Sequence, residues 1–259
     1  MCGRYTLISA PEAIRALFRY REQPNFPPRY NVAPTQPIAI VRLAARERQF
    51  ALVRWGLLPS WIKDPRAFSL LINARGESVQ DKPAFRAAMR RRRCLIPADG
   101  FYEWKRAGMS KQPYYIHRSD GSPLAFAGLW ETWTGPNGEE LETAAIVTTA
   151  ANRQLAALHG RMPVILEPDA FDLWLDCDRV DAKTASALIA PAPDGSLEMY
   201  PVSTAVNRVA NDAPPLIDPI AEQASAAPVE PKAKMRRRAA KQPGQLPLFT
   251  ATATKPSPD

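Results

Sequence analysis

Short apolar runs that alternate with polar residues recur through the first 220 positions without a helix regularly placed between them, and this constrains the fold more than any other feature of the chain. Runs rich in Ile, Val, Thr and aromatic residues predict strands near 37–43, 49–55, 94–97, 113–118, 124–131, 143–149 and 197–202. Apolar residues at helical spacing predict helices near 83–92, 150–158, 168–176 and 181–189. An earlier helix is signalled by Ser9 and Glu12 as a capping box, by Pro11 in the first turn, and by Ile14, Leu17 and Phe18 on one face. A doubly wound α/β sheet needs strands and helices in alternation. An α+β domain with a curved, mostly antiparallel β-sheet or barrel-like core flanked by helices fits better.

Beyond Ile220 the chain turns to Ala, Pro, Lys and Gln, with almost no large apolar residue until Leu246. That shift predicts a folded domain over 1–220 and a disordered basic tail over 221–259. The chain has 259 residues and 46% hydrophobic content, ample for a core. The formal net charge is +8, and from residue 222 onward seven Lys/Arg face three acids, so half of the excess lies in the tail. A basic balance of this kind points to a polyanionic partner. No run reaches the roughly 18 apolar residues of a membrane span, and the start lacks the basic and apolar stretches of a signal peptide. The expected location is the cytoplasm, on the nucleoid when bound to DNA, as a monomer. Cys2, Cys94 and Cys177 are widely and irregularly spaced, which suits neither a disulfide framework nor a zinc site, so free thiols are expected, with no metal and no cofactor.

Cys2 carries the most chemistry. Methionine aminopeptidase removes Met1 when residue 2 is small, and the mature chain then begins with a 1,2-aminothiol. An α-amino group titrates at about 7.7 to 8.0, so much of it is nucleophilic near neutral pH. Such an amine forms a Schiff base with an aldehyde, and the thiol then closes on the same carbon as a thiazolidine. Taken alone, Cys2 also reads as an ordinary terminal residue.

Six segments occur in order: Cys2-Gly3-Arg4-Tyr5-Thr6, Arg29-Tyr30-Asn31-Val32-Ala33-Pro34-Thr35, Trp55-Gly56-Leu57-Leu58-Pro59-Ser60-Trp61, Ile72-Asn73-Ala74-Arg75-Gly76-Glu77, Arg93-Cys94-Leu95-Ile96-Pro97-Ala98-Asp99-Gly100-Phe101-Tyr102-Glu103-Trp104-Lys105, and His159-Gly160-Arg161-Met162-Pro163. In this order they resemble the SOS-response-associated peptidase (SRAP) family across about 1–215. The resemblance implies a catalytic site of Cys2, Asn73, Glu103 and His159. It also implies that Cys2 bonds covalently, as a thiazolidine, to the ring-opened deoxyribose of an abasic site in single-stranded DNA. Associated abasic-site lyase and self-cleaving activities go with it.

The residue types suit those roles. A buried carboxyl with a raised pKa both takes a proton from the amine and returns one to the departing hydroxyl, and Glu103 lies between Tyr102 and Trp104. His159 is placed to protonate the sugar ring oxygen, although a lone His at a helix end is often a cap. Asn73 is placed to hold the amine or sugar, although Asn also favours turns and strand ends. Arg4, Arg75 and Arg161 suit phosphates, Trp61 and Trp104 suit base stacking or equally the core, and Pro34 sits in a loop expected to border the DNA. His117 reads as an exposed strand residue, the run Arg90–Arg93 as a solvated helix end, and Cys94 and Cys177 as structural.

In the tail, Gln245, Leu246, Leu248 and Phe249 form one apolar cluster resembling the peptides by which bacterial repair proteins dock on the sliding clamp, with Pro247 at an unusual position. The segment 232–241 would act as a salt-sensitive basic arm, and the chain from 222 to 245 spans about 25 to 30 Å on average. Two other function classes fit the same residues. One is an N-terminal-nucleophile amidohydrolase using Cys2, and the other a non-covalent single-strand-binding module.

Overall fold

A computed structural model of the chain describes residues 2–107 and 110–221, so the tail residues Gln245, Leu246, Leu248 and Phe249 and the basic arm lie outside the described residues. In chain order the strands are β1 (Tyr5–Leu7), β2 (Arg29–Val32), β3 (Pro37–Ala44), β4 (Glu47–Trp55), β5 (Asn73–Arg75), β6 (Arg93–Ala98), β7 (Gly100–Ala107), β8 (Ser110–Arg118), β9 (Leu124–Thr134), β10 (Glu140–Ala150), β11 (Arg161–Pro163) and β12 (Leu197–Pro201). The helices are α1 (Pro11–Phe18), α2 (Pro83–Arg91), α3 (Phe171–Leu175) and α4 (Ala182–Ser186).

Strands β10, β4, β3, β6 and β9 pair in that order, and β9 pairs back onto β10 to close a barrel. Only the β4–β10 pairing in this ring is parallel. A second sheet, ordered β12-β8-β7-β1-β2, is antiparallel throughout. The α+β class with a barrel-like core is therefore correct. The two sheets meet through aromatic rings: Tyr5 lies edge-on to Trp55 at 5.3 Å and to Phe126 at 6.1 Å, and Phe101 lies edge-on to Phe126 at 5.9 Å. Covered on both faces, β6 is buried at every position and β9 from Leu124 to Leu129, so both read as continuous apolar runs.

Several local expectations change. Ala10, not Ser9, caps α1, and no side chain closes a capping box. Instead the Asp99 carboxylate accepts from the Ser9 hydroxyl and from the N–H groups of Ile8 and Ser9 (2.5 and 2.9 Å), tying the end of β1 to the start of β7. Pro11 does open α1, and Ile14 and Phe18 are buried. The helix expected over 150–158 shrinks to one 3-10 turn, Leu155–Ala157, held by Asn152, whose Oδ1 accepts from Leu155 N at 2.9 Å. His117 is a half-buried strand residue lying 5.6 Å from the rings of both Tyr115 and Tyr200. Within the basic run, Arg90 and Arg91 are exposed, whereas Arg93 is buried. Cys2, Cys94 and Cys177 are free thiols. Among the described residues no helix is long and apolar enough to cross a membrane, and no group of three or more His, Cys, Asp or Glu could hold a metal.

Candidate active site

Antiparallel pairing sets Tyr5 opposite Phe101 and Thr6 opposite Gly100, and Tyr102 N–H donates to Arg4 O at 3.0 Å. Residues 2–4 therefore run on beside β7 towards Glu103. From the other side, β5 pairs with β10, placing Asn73 opposite Ile146, and the Asn73 carboxamide donates to Cys2 O at 2.9 Å. Asn73 Oδ1 is buried with no hydrogen-bond partner among the described residues.

Cys2 is 0% exposed. Desolvation pushes its thiol well above the ordinary range, and the Glu103 carboxylate adds to the rise, so the thiol stays protonated at neutral pH. Glu103 is 3% exposed and sits opposite Tyr114 on β8. Strand alternation sends its neighbours Tyr102 and Trp104 to the opposite face, where they pack with Tyr115, Val202, Val206 and Leu216.

Glu103 lines an open cleft of about 430 Å³ together with Arg4, Trp104, Arg106, Lys111, His159 and Asn207. His159 follows the 3-10 turn and is half-buried. Its Nδ1 accepts from Arg161 N–H at 3.0 Å, so the neutral ring carries its proton on Nε2. Asn73 thus holds Cys2 by a hydrogen bond, the charge of Glu103 reaches the Cys2 thiol, and Glu103 and His159 share the cleft.

The cations expected to hold phosphate differ in their engagement. Arg4 donates to Asn31 Oδ1 (2.9 Å), Val206 O (2.8 Å) and Asn207 O (3.5 Å). Arg161 makes a two-pronged ion pair with Glu77 (3.0 and 2.9 Å) and donates to Thr148 O (2.7 Å). Through that bond Arg161 holds the Glu77 carboxyl below its usual range. Arg75, opposite Thr148, is exposed. Pro34 is half-buried in a tight turn whose next residue, Thr35, takes the left-handed conformation at φ 73°, an unusual state for a β-branched side chain. Trp61 is 58% exposed and packs edge-on against Phe68, so it is no core residue. Trp104 is half-buried and its indole N–H donates to Asn207 Oδ1 at 2.8 Å.

Four residues at or behind the cleft escaped the sequence reading. Asn31 is fully buried, and its carboxamide donates to the carbonyls of Val206, Arg208 and Asn211, fastening residues 206–211 beside the cleft. Asn31 stood within a quoted segment, but nothing marked it as a fastener. Asn207 carried no signal, and Arg106 and Lys111 showed only a basic character shared with many surface residues.

The fold is a mixed five-stranded barrel apposed to an antiparallel sheet, and its candidate site holds Cys2 within the electrostatic reach of a buried carboxylate. The chain belongs to the SOS response associated peptidase (SRAP) family, whose pattern matches residues 1–209. It is 39% identical over 222 residues to abasic site processing protein YoqW of Bacillus subtilis, covering 84% of this chain and 99% of that protein. It is 35% identical over 230 residues to abasic site processing protein YedK of Escherichia coli, covering 85% and 100%. Abasic site processing protein HMCES of Xenopus tropicalis is 34% identical over 260 residues, covering 83% and 77%. Among solved structures, a Bacteroides thetaiotaomicron protein shares the fold at a TM-score of 0.76 and 24% identity, over 85% of this chain and all of that one. A phage-related protein of Bordetella bronchiseptica matches at a TM-score of 0.63 and 34% identity, over 78% and 94%.

Proposed function

We propose that this chain captures abasic sites in single-stranded DNA covalently through Cys2, after removal of Met1 has freed its α-amine. The observation that carries the reading is the hold of Asn73 on the Cys2 carbonyl, which places the second residue beside buried Glu103. The names of the relatives supply the lesion.

In the proposed course, the closed deoxyribose opens to its aldehyde as the Nε2 proton of His159, replaced from solvent, goes to the sugar ring oxygen and the anomeric hydroxyl gives its proton to Glu103. The Cys2 amine adds to the aldehyde carbon and one nitrogen proton passes to the new oxygen, and the Glu103 carboxylic acid then protonates that hydroxyl as water leaves and the iminium forms. The resulting iminium cation sits next to the thiol and offsets the burial and the carboxylate that hold the thiol up. The S–C bond then forms, and the thiol proton ends on Glu103 or on the ring nitrogen. One water is lost overall and no redox partner is needed. The same iminium acidifies the neighbouring sugar C–H, so loss of that proton with departure of the 3′ phosphate would give lyase activity. A protonated, buried thiol favours this order, amine before sulfur, over an amidohydrolase whose thiolate must attack first.

The test compares wild type and Cys2→Ala with single-stranded DNA bearing one abasic site, by denaturing gel and intact mass. The expected result is a shifted band for wild type only, with the mass of the Met1-less protein plus DNA minus water. No adduct from protein verified to begin at Cys2 overturns the reading. The tail peptide Gln245, Leu246, Leu248 and Phe249 is proposed to dock the protein on the sliding clamp, and the segment 232–241 to hold DNA electrostatically.

A further inference from the structure

Strand alternation places Arg106 on the same face of β7 as Trp104, two residues on, and register sets Lys111 of β8 directly opposite Arg106. Both cations are exposed and both line the cleft that holds Glu103 and His159. Like charges directly opposite one another on a sheet repel, so this cross-strand pair opposes the pairing of the very hairpin that carries it. Neither residue makes a hydrogen bond or ion pair with another described residue. In this they differ from Arg4, which is engaged by Asn31, Val206 and Asn207, and from Arg161, which is engaged by Glu77. Beside them, Trp104 is fixed in orientation by its bond to Asn207 and lines the same cleft.

We infer that Arg106 and Lys111 form a phosphate-binding pair for single-stranded nucleic acid, holding the strand backbone while Trp104 borders a base. Two cations next to an aromatic side chain suit a strand whose phosphates and bases alternate. A phosphodiester between the two cations relieves their repulsion, and so couples hairpin geometry to strand binding. Positioning over the lesion then depends on β7 and β8, with Arg4 held in the cleft wall by Asn31 and Val206. This inference rests on the proposed single-stranded DNA substrate.

The experiment uses the full chain, an undamaged single-stranded oligonucleotide and fluorescence anisotropy across a salt series, so that covalent capture does not intervene. The slope of log K against log salt falls by about 0.7 for each phosphate contact removed from a single strand. Arg106→Gln combined with Lys111→Gln is expected to flatten the slope by about 1.4, and Lys111→Glu by at least about 0.7. Lys111→Glu also sets an opposite charge across from Arg106, so its melting temperature is expected to equal or exceed that of wild type, separating weakened binding from a damaged fold. Wild-type slopes in both variants overturn the inference, and if those variants still capture abasic DNA, the proposed function stands without it. A wild-type protein with no affinity for the oligonucleotide overturns the inference and the single-stranded substrate together.

Discussion

Arg93 is 1% exposed, and its guanidinium donates to four main-chain carbonyls: Met89, Trp174, Asp176 and Val180, at 2.9, 2.5, 3.0 and 2.7 Å. Two of these acceptors belong to the last turns of α2 and α3, whose carbonyls have no helical partner, so one side chain closes two helix ends against β6. Arg93→Ala would leave those carbonyls buried and unpaired around a cavity. The expected loss is about 3 to 5 kcal/mol, read as a lower urea midpoint with an unchanged slope. A loss below about 1 kcal/mol would contradict this role. The sequence suggested otherwise, since four successive arginines at a helix end read as a solvated face. Burial of the fourth is decided by Trp174 and Val180, about 80 residues away, and no local pattern encodes that. Cys2, Asn73, Glu103 and His159 could be singled out as candidates because they sit inside ordered segments. Asn207 was not, because its role arises from contacts with Arg4 and Trp104 that only the fold creates.

Among the elements, β7 organises the site, and Gly100 lets it do so. A Cβ on Gly100 would lie 2.4 Å from the Tyr115 hydroxyl and 2.7 Å from Ile116 O, where β1 and β8 flank the start of β7. The same crossing holds the Thr6–Tyr115 hydroxyl contact at 2.9 Å. Gly100→Ala is expected to cost about 1 to 3 kcal/mol, lowering the melting temperature by about 2 to 4 °C per kcal/mol, and to slow adduct formation as β1 shifts from β7. A variant that melts and reacts like wild type would show that the crossing has room to spare. The long strands β3, β4, β6, β8, β9 and β10 were readable from composition. The three-residue strands β1, β5 and β11 were not, because three residues display no period and their partners lie far along the chain. Strand β7 hid its nature because buried Glu103 interrupts an aromatic run that is covered on both faces.

At the scale of the whole molecule, the α+β class followed from strands without interleaved helices, but barrel closure did not. Closure depends on β10 pairing parallel with β4 on one side and antiparallel with β9 on the other, a choice fixed by packing around Trp55, Phe126 and Ile146. The proposed division of labour between the domain and the tail is tested by deleting residues 245–249. That deletion is expected to leave capture on a free oligonucleotide unchanged and to abolish recovery of the sliding clamp in a pull-down. Undiminished clamp recovery would remove the docking role.

The bond from Asn73 grips a main-chain carbonyl, a group that every amino acid possesses. The bond itself makes no use of the side chain at position 2, which the core encloses separately. Exchanging Cys2 for a residue no larger, such as Ala or Ser, should therefore keep the main chain of position 2 in place while altering what the enclosed side chain can do.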